Sequence, residues 1–136
     1  MKRFVVLWFM TSLLGLGSAS EEVKKTDASD DVTIIGQIVP NDLRDKRRNH
    51  PCKIHTFKLL KEKTYIIDME SRDFDSYLRI EDTTGKQLAE DDDSGGNLNA
   101  RIRFQPPQDS VYQIIATTFA GGAGTYTLKV RAEGRK

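Results

Sequence analysis

Three features of the sequence predict an all-β fold, an antiparallel two-sheet β-sandwich of jelly-roll-like form with about seven or eight strands. From Ile54 onward, apolar side chains recur at every second position, the period that places them on one face of a strand. Runs containing glycine, proline, asparagine and aspartate interrupt that alternation about every ten residues. No stretch beyond the first twenty or so residues carries a sustained apolar stripe at helical spacing.

The chain opens with Lys2 and Arg3, an apolar run from Phe4 to Leu16, and the small residues Gly17, Ser18, Ala19 and Ser20. A positive start, a short apolar stretch and small residues make a secretory signal peptide. The run is about 13 residues long, short of the roughly 20 that a helix needs to cross a bilayer. Gly17 and Ala19 fit the two positions that signal peptidase reads, so cleavage is expected after Ala19, with residues 1–19 as the leader. No cysteine follows the run for lipid attachment, so the processed chain is expected free of the membrane. Its location is then periplasmic, cell-surface or secreted.

Losing Lys2 and Arg3 from 21 basic residues set against 20 acidic ones turns the formal charge from +1 to −1. That balance argues against nucleic acid as a partner. The remaining residues, about 117, suffice for one domain. Residues 20–31 are polar and charged and read as a flexible arm; residues 32–136 form the domain. Cys52 is the single cysteine, so no internal disulfide is available, and a buried, inert thiol is expected.

Val32 to Val39 is β-branched and stops at Pro40-Asn41-Asp42, a strand and its turn. Arg44 to Asn49 reads as a solvated charge run in a plain loop, and His50, beside Pro51, as solvated. His55, Phe57 and Leu59 share a face, and the histidine is expected to pack. Tyr65, Ile67 and Met69 follow, then Leu78 and Ile80 before the turn Asp82-Thr83-Thr84-Gly85. Ala100, Ile102 and Phe104 alternate with Arg101 and Arg103 until Pro106 and Pro107, which cannot donate to a ladder. Tyr112, Ile114 and Ala116 form another inward set, and Tyr126, Leu128 and Val130 face inward from the last strand.

The segments Thr64 to Met69, Asp73 to Ile80, Gly85-Lys86, Glu90 to Gly96, Asn99 to Phe104 and Gly124 to Leu128 together resemble the bacterial pre-peptidase C-terminal domain family, over about 80 residues from Ile54 to Val130. The resemblance implies a jelly-roll-like sandwich found on exported proteins, without catalytic residues of its own, which assists localisation, maturation or attachment. In collagen-binding relatives, calcium sits between an acidic linker and aspartates on the loop before the strand equivalent to His55–Leu59. Asp42 and Asp45 occupy that loop here, but the acidic linker is missing and a basic segment follows, so neither that calcium site nor collagen binding carries over.

No nucleophile elbow, zinc-ligand spacing or phosphate loop is present, and Cys52 and His55, three apart at a strand, point to opposite faces. The chain is therefore read as no enzyme. The run Glu90-Asp91-Asp92-Asp93 needs solvent, basic partners or a cation. Arg79, Arg101 and Arg103 are available partners on neighbouring strands. If a cation is held instead, calcium suits the oxygen ligands, with Asp91 and Asp93 as ligands, Asp75 assisting, and Gly95 and Gly96 turning carbonyls inward. The functional expectation is an exported, non-catalytic interaction module, calcium its one candidate cofactor, binding an extracytoplasmic protein or polysaccharide. The alternative is a small secreted hydrolase or hydrolase inhibitor.

Trp8 is the single tryptophan and lies in the leader. The exported protein is expected to begin at Ser20 and to show tyrosine but no tryptophan fluorescence. Intact-mass measurement checks this, and a product retaining residues 1–19 contradicts it.

Overall fold

A computed structural model describes Val5–Trp8, Thr26–Asp27 and residues 31–134 of the chain. The expected leader and arm otherwise lie outside the described residues. Within the domain, alternation produces strands Val32–Ile38 (β3), Lys53–Leu59 (β4), Tyr65–Glu70 (β5), Ser76–Glu81 (β6), Gln87–Asp91 (β7), Ala100–Phe104 (β8), Ser110–Thr118 (β9) and Gly124–Ala132 (β10). Two short segments precede them, Val5–Trp8 (β1) and Thr26–Asp27 (β2).

The eight domain strands make two antiparallel sheets, ordered β3-β10-β5-β8 and β4-β9-β6-β7. β1 and β2 extend them in parallel, along Val32–Ile35 of β3 and Phe57–Lys58 of β4. Between β3 and β10 the chain changes sheet at every connection except the β6–β7 hairpin, which is the sandwich pattern expected.

The inner faces meet in one core, with Ile34 and Ile38 of β3, Phe57 and Leu59 of β4, Ile67 and Met69 of β5, Leu78 and Ile80 of β6, and Leu128 and Val130 of β10 buried together. In β8 the alternation is complete, with Ala100, Ile102 and Phe104 buried and Arg101 and Arg103 exposed. Gly36 is required by this packing: a Cβ there would run into the ring of Tyr126, which crosses over β3 from the neighbouring strand.

Two expectations need correction. β7 was not anticipated; Glu90 and Asp91 belong to it, so the acidic loop begins at Asp92. Its only apolar residues are Leu88 and Ala89, both half-buried, too little alternation to stand out, and its pairing with β6 slips at Ile80/Glu81. The second concerns the charge run Arg44 to Asn49: Arg44, Lys46, Arg47 and Asn49 are exposed as expected, but Asp45 and Arg48 are not. They lie against the outer face of the β4-β9-β6-β7 sheet, with Asp45 3% exposed, and all six residues of β6 are buried as a result.

Leu128 is fully buried, while Thr127 faces outward. Leu128→Ala is expected to cost about 2–5 kcal/mol in urea unfolding, and Thr127→Ala under about 1 kcal/mol. Equal losses would overturn the face assignment.

Candidate functional site

The loop over the outer sheet face is held by charge. Arg79, on the outward side of β6 and 1% exposed, reaches Asp45 Oδ1 at 2.5 Å and Glu81 Oε1 at 2.8 Å, and also donates to Gln87 Oε1 at 3.0 Å. Burial works against its charge, but the two carboxylates outweigh burial and hold its pKa above the ordinary arginine value. Arg48 lies over the adjacent rings of Tyr77 and Phe119, its guanidinium carbon 4.4 and 4.7 Å from their centroids, and donates to the Phe119 carbonyl at 2.7 Å. His50 is not simply solvated: its Nδ1 meets the Thr118 carbonyl at 2.8 Å. Thr117 donates its hydroxyl to the Pro51 carbonyl at 2.9 Å. Asp42 accepts from Val39 N at 2.9 Å and pairs with Lys53 at 2.8 Å. The loop's aspartates are thus committed to anchoring.

At one end of the sandwich lies an open cleft of about 570 Å³, lined by Ser71, Asp73, Phe74, Asp75, Asn97 and Asn99 among others. Asn97 and Leu98 turn the chain with positive φ of 52° and 63°, and the Leu98 carbonyl accepts from Ser76 N at 3.0 Å, fixing this turn to the start of β6. Ser71 N donates to Asn99 Oδ1 at 3.1 Å. Asp73 caps the start of β10, taking Thr125 N at 2.8 Å and the Thr125 hydroxyl at 3.1 Å. A Cβ at Gly124 would collide with that aspartate, and its φ of +144° is one that glycine tolerates.

The three residues singled out as cation ligands separate here. Asp91 organises its own loop: Ser94 N and hydroxyl reach it at 2.9 and 2.6 Å, and Arg101 N at 2.9 Å. Asp75 is different. Its Oδ1 is buried and has no hydrogen-bond partner, and its carboxyl pKa is raised, first by burial and then by Asp93 and Asp92. Asp93 is exposed at the loop tip. The arginines expected to neutralise the run are engaged elsewhere: Arg79 as above, Arg101 with Asp68 at 2.6 Å and Arg103 with Glu133 at 2.8 Å. Glu90 instead takes the Tyr77 hydroxyl, which helps hold its carboxyl below the usual range.

Among the described residues, no group of three or more His, Cys, Asp or Glu side chains is gathered to hold a metal ion. A hard cation takes six to eight oxygens and accepts carbonyls and waters among them. Asp75, with its unpartnered oxygen, and Asn97 and Asn99 line the same cleft and offer oxygens of the kind such an ion takes, while Asp92 and Asp93 act on Asp75 through their charge. The Asn residues had no sequence signal beyond their place after the glycines.

His55 and Cys52 are poor reagents. His55 Nε2 is hydrogen-bonded to the Tyr126 hydroxyl at 2.7 Å, and burial lowers its pKa to about 4, with Lys53 adding to the effect. Burial, reinforced by Asp45, pushes the Cys52 thiol up to about 11, so it stays protonated at neutral pH. The expected packed histidine and buried thiol are both found.

No family model and no curated protein matches the chain. Among solved structures it is similar to the pre-peptidase C-terminal domain of a collagenase from Bacillus anthracis, with a TM-score of 0.58 and 15% identity, over 79% of this chain and 92% of that one. The resemblance read from Asp73–Ile80, Glu90–Gly96 and Gly124–Leu128 is thereby met at the level of fold.

Because His55 is held neutral in the folded state, the unfolded chain binds the extra proton between pH 6.5 and about 4. Stability is therefore expected to be intact above that window and to fall as pH drops through it, by up to about 3 kcal/mol. Urea midpoints across pH should show this slope, and His55→Gln should flatten it.

Proposed function

We propose that the chain is an exported, non-catalytic binding module that engages an extracytoplasmic protein or polysaccharide, with a calcium ion bound at the Asp75 end of the sandwich. The fold shared with a domain that accompanies a collagenase supports a module rather than a free-standing enzyme. His55, held neutral against Tyr126, and Cys52, held as a thiol, support the same reading, since neither is disposed to proton transfer or nucleophilic attack. Export follows from the leader.

The observation that carries the calcium reading is the orphaned Asp75 oxygen. A buried carboxylate oxygen without a donor is costly, and a cation relieves it; Arg79, Arg101 and Arg103 are each engaged with other carboxylates. Asp75 and Asp93 are the side-chain ligands in this reading, with loop carbonyls and Asn97 or Asn99 completing the shell. Asp91 fixes the loop's shape. An ion there would join the Asn97–Asn99 turn to the start of β6 and leave the rest of the cleft for a ligand.

Thermal unfolding with and without millimolar calcium tests the ion. Calcium is expected to raise the melting temperature of the parent protein but not that of Asp75→Asn. Without calcium, Asp75→Asn should be more stable than the parent at pH 7. The raised carboxyl pKa means that ionised Asp75 opposes folding, and this advantage should shrink as pH falls through that pKa. Asp91→Asn should destabilise the loop yet keep a calcium response. No calcium shift in the parent would remove the ion. Hydrolysis of a general substrate panel, with nothing retained from envelope and secreted fractions in a pull-down, would remove the binding reading.

A further inference from the structure

We propose that the outer edge of β3 is a self-association site, where Val32–Ile38 of two processed copies pair antiparallel about a two-fold axis. The inference rests on the export reading, because the leader occupies this edge in the full chain: Val5 lies opposite Val32, Val6 opposite Thr33, Leu7 opposite Ile34 and Trp8 opposite Ile35. This shows that the edge accepts a strand. Removal of residues 1–19 leaves its outward-facing backbone groups unpaired, and an uncovered edge is a template for another chain.

Charge selects the occupant. The two four-stranded sheets have four edges; β4 is already paired with Thr26–Asp27, and it and two others carry charged side chains that a symmetric pair would bring near their own kind. β4 has Lys53 and Lys58, β7 has Glu90 and Asp91, and β8 has Arg101 and Arg103. Like charges directly opposite one another destabilise a pair of strands. β3, with the sequence VTIIGQI, has none and no proline, so a second copy meets no repulsion there. Its register is suited to pairing without rearrangement. Val32, Ile34 and Ile38 already fill the core, while Thr33, Ile35 and Gln37 face outward and are available to pack across the new junction. A two-fold pair centred on Ile35 would join the β3-β10-β5-β8 sheets of two copies into one eight-stranded sheet.

The processed protein, its start confirmed by intact mass, is to be examined by sedimentation velocity in reducing buffer with EDTA, so that neither Cys52 nor calcium contributes. A dimer is expected. Ile35→Lys and the double variant Thr33→Lys/Gln37→Lys, each checked for native circular dichroism, should weaken it by at least about tenfold through opposed like charges, since about this axis position 35 meets itself and position 33 meets position 37, while Ile35→Thr should retain it. Gln37 is exposed and Thr33 faces outward, so the double variant stays informative if Ile35→Lys fails to fold. A soluble peptide carrying Val5–Trp8 should dissociate the dimer, with Trp8 fluorescence polarisation rising in a protein that has no tryptophan of its own. A protein that begins at Ser20 and is monomeric at about 100 μM, or a dimer indifferent to both lysine variants, overturns the edge site alone. A product that keeps residues 1–19 overturns the export reading and the proposal with it.

Discussion

Arg79 places a guanidinium on the outward face of a sheet at 1% exposure, and no β-sandwich can leave such a group there without partners. Glu81 supplies one carboxylate from the same face of the same strand, two residues on. Asp45 supplies the other, and it comes from a loop 34 residues earlier in the chain, which must therefore lie down on the sheet. Once it does, Arg48 falls over the rings of Tyr77 and Phe119, His50 and Pro51 meet the end of β9, and the chain is delivered to the start of β4. Removing either member of the central pair would strand a buried charge, a loss of about 3–5 kcal/mol in comparable pairs. The energetic weight lies in that penalty, because desolvation consumes most of the attraction between the intact partners. What the network chiefly fixes is where the loop sits.

The opposite side of the structure is organised by smaller polar devices that work at strand ends. Tyr126 reaches across Gly36 to His55, joining β10 of one sheet to β4 of the other through a hydrogen bond inside an otherwise apolar core. Asp73 locks the beginning of β10 to the β5–β6 connection, and Asp91 closes the turn that follows β7. Tyr126, Asp73 and Asp91 lie in the segments that resemble the pre-peptidase C-terminal domains. Their roles here are architectural.

This division of labour concentrates the unresolved electrostatics at one place. The loop consumes Asp42 and Asp45, and Arg79, Arg101 and Arg103 are each matched to a carboxylate outside the acidic run. Asp75 is left with an unpartnered oxygen beside Asp92 and Asp93, at the mouth of the cleft. Charge pairing elsewhere thus leaves Asp75 unmatched by those three arginines. The same economy of charge distinguishes the sheet edges, three protected by ionic side chains and β3 left bare.

The sequence by itself determined the sandwich and the inward face of nearly every strand, because a period of two is a local property that needs no knowledge of neighbours. Tyr126, Leu128 and Val130, or Ala100, Ile102 and Phe104, could face only one way once one side was to be dry. It marked Asp91 and Asp93, with Asp75 assisting, as candidate ligands from the chemistry of carboxylates near glycines, without foreseeing that Asp91 is taken up by its own loop. It did not reveal β7, whose single leucine carries too little pattern, and in the charge run Arg44 to Asn49 it missed Asp45 and Arg48, which are seated on the sheet while Arg44, Lys46 and Arg47 stay exposed. Whether Asp45 is solvated or buried depends on Arg79, and which carboxylate each arginine meets depends on strand order. Those are long-range pairings, set by which strands become neighbours, and only the tertiary structure decided them.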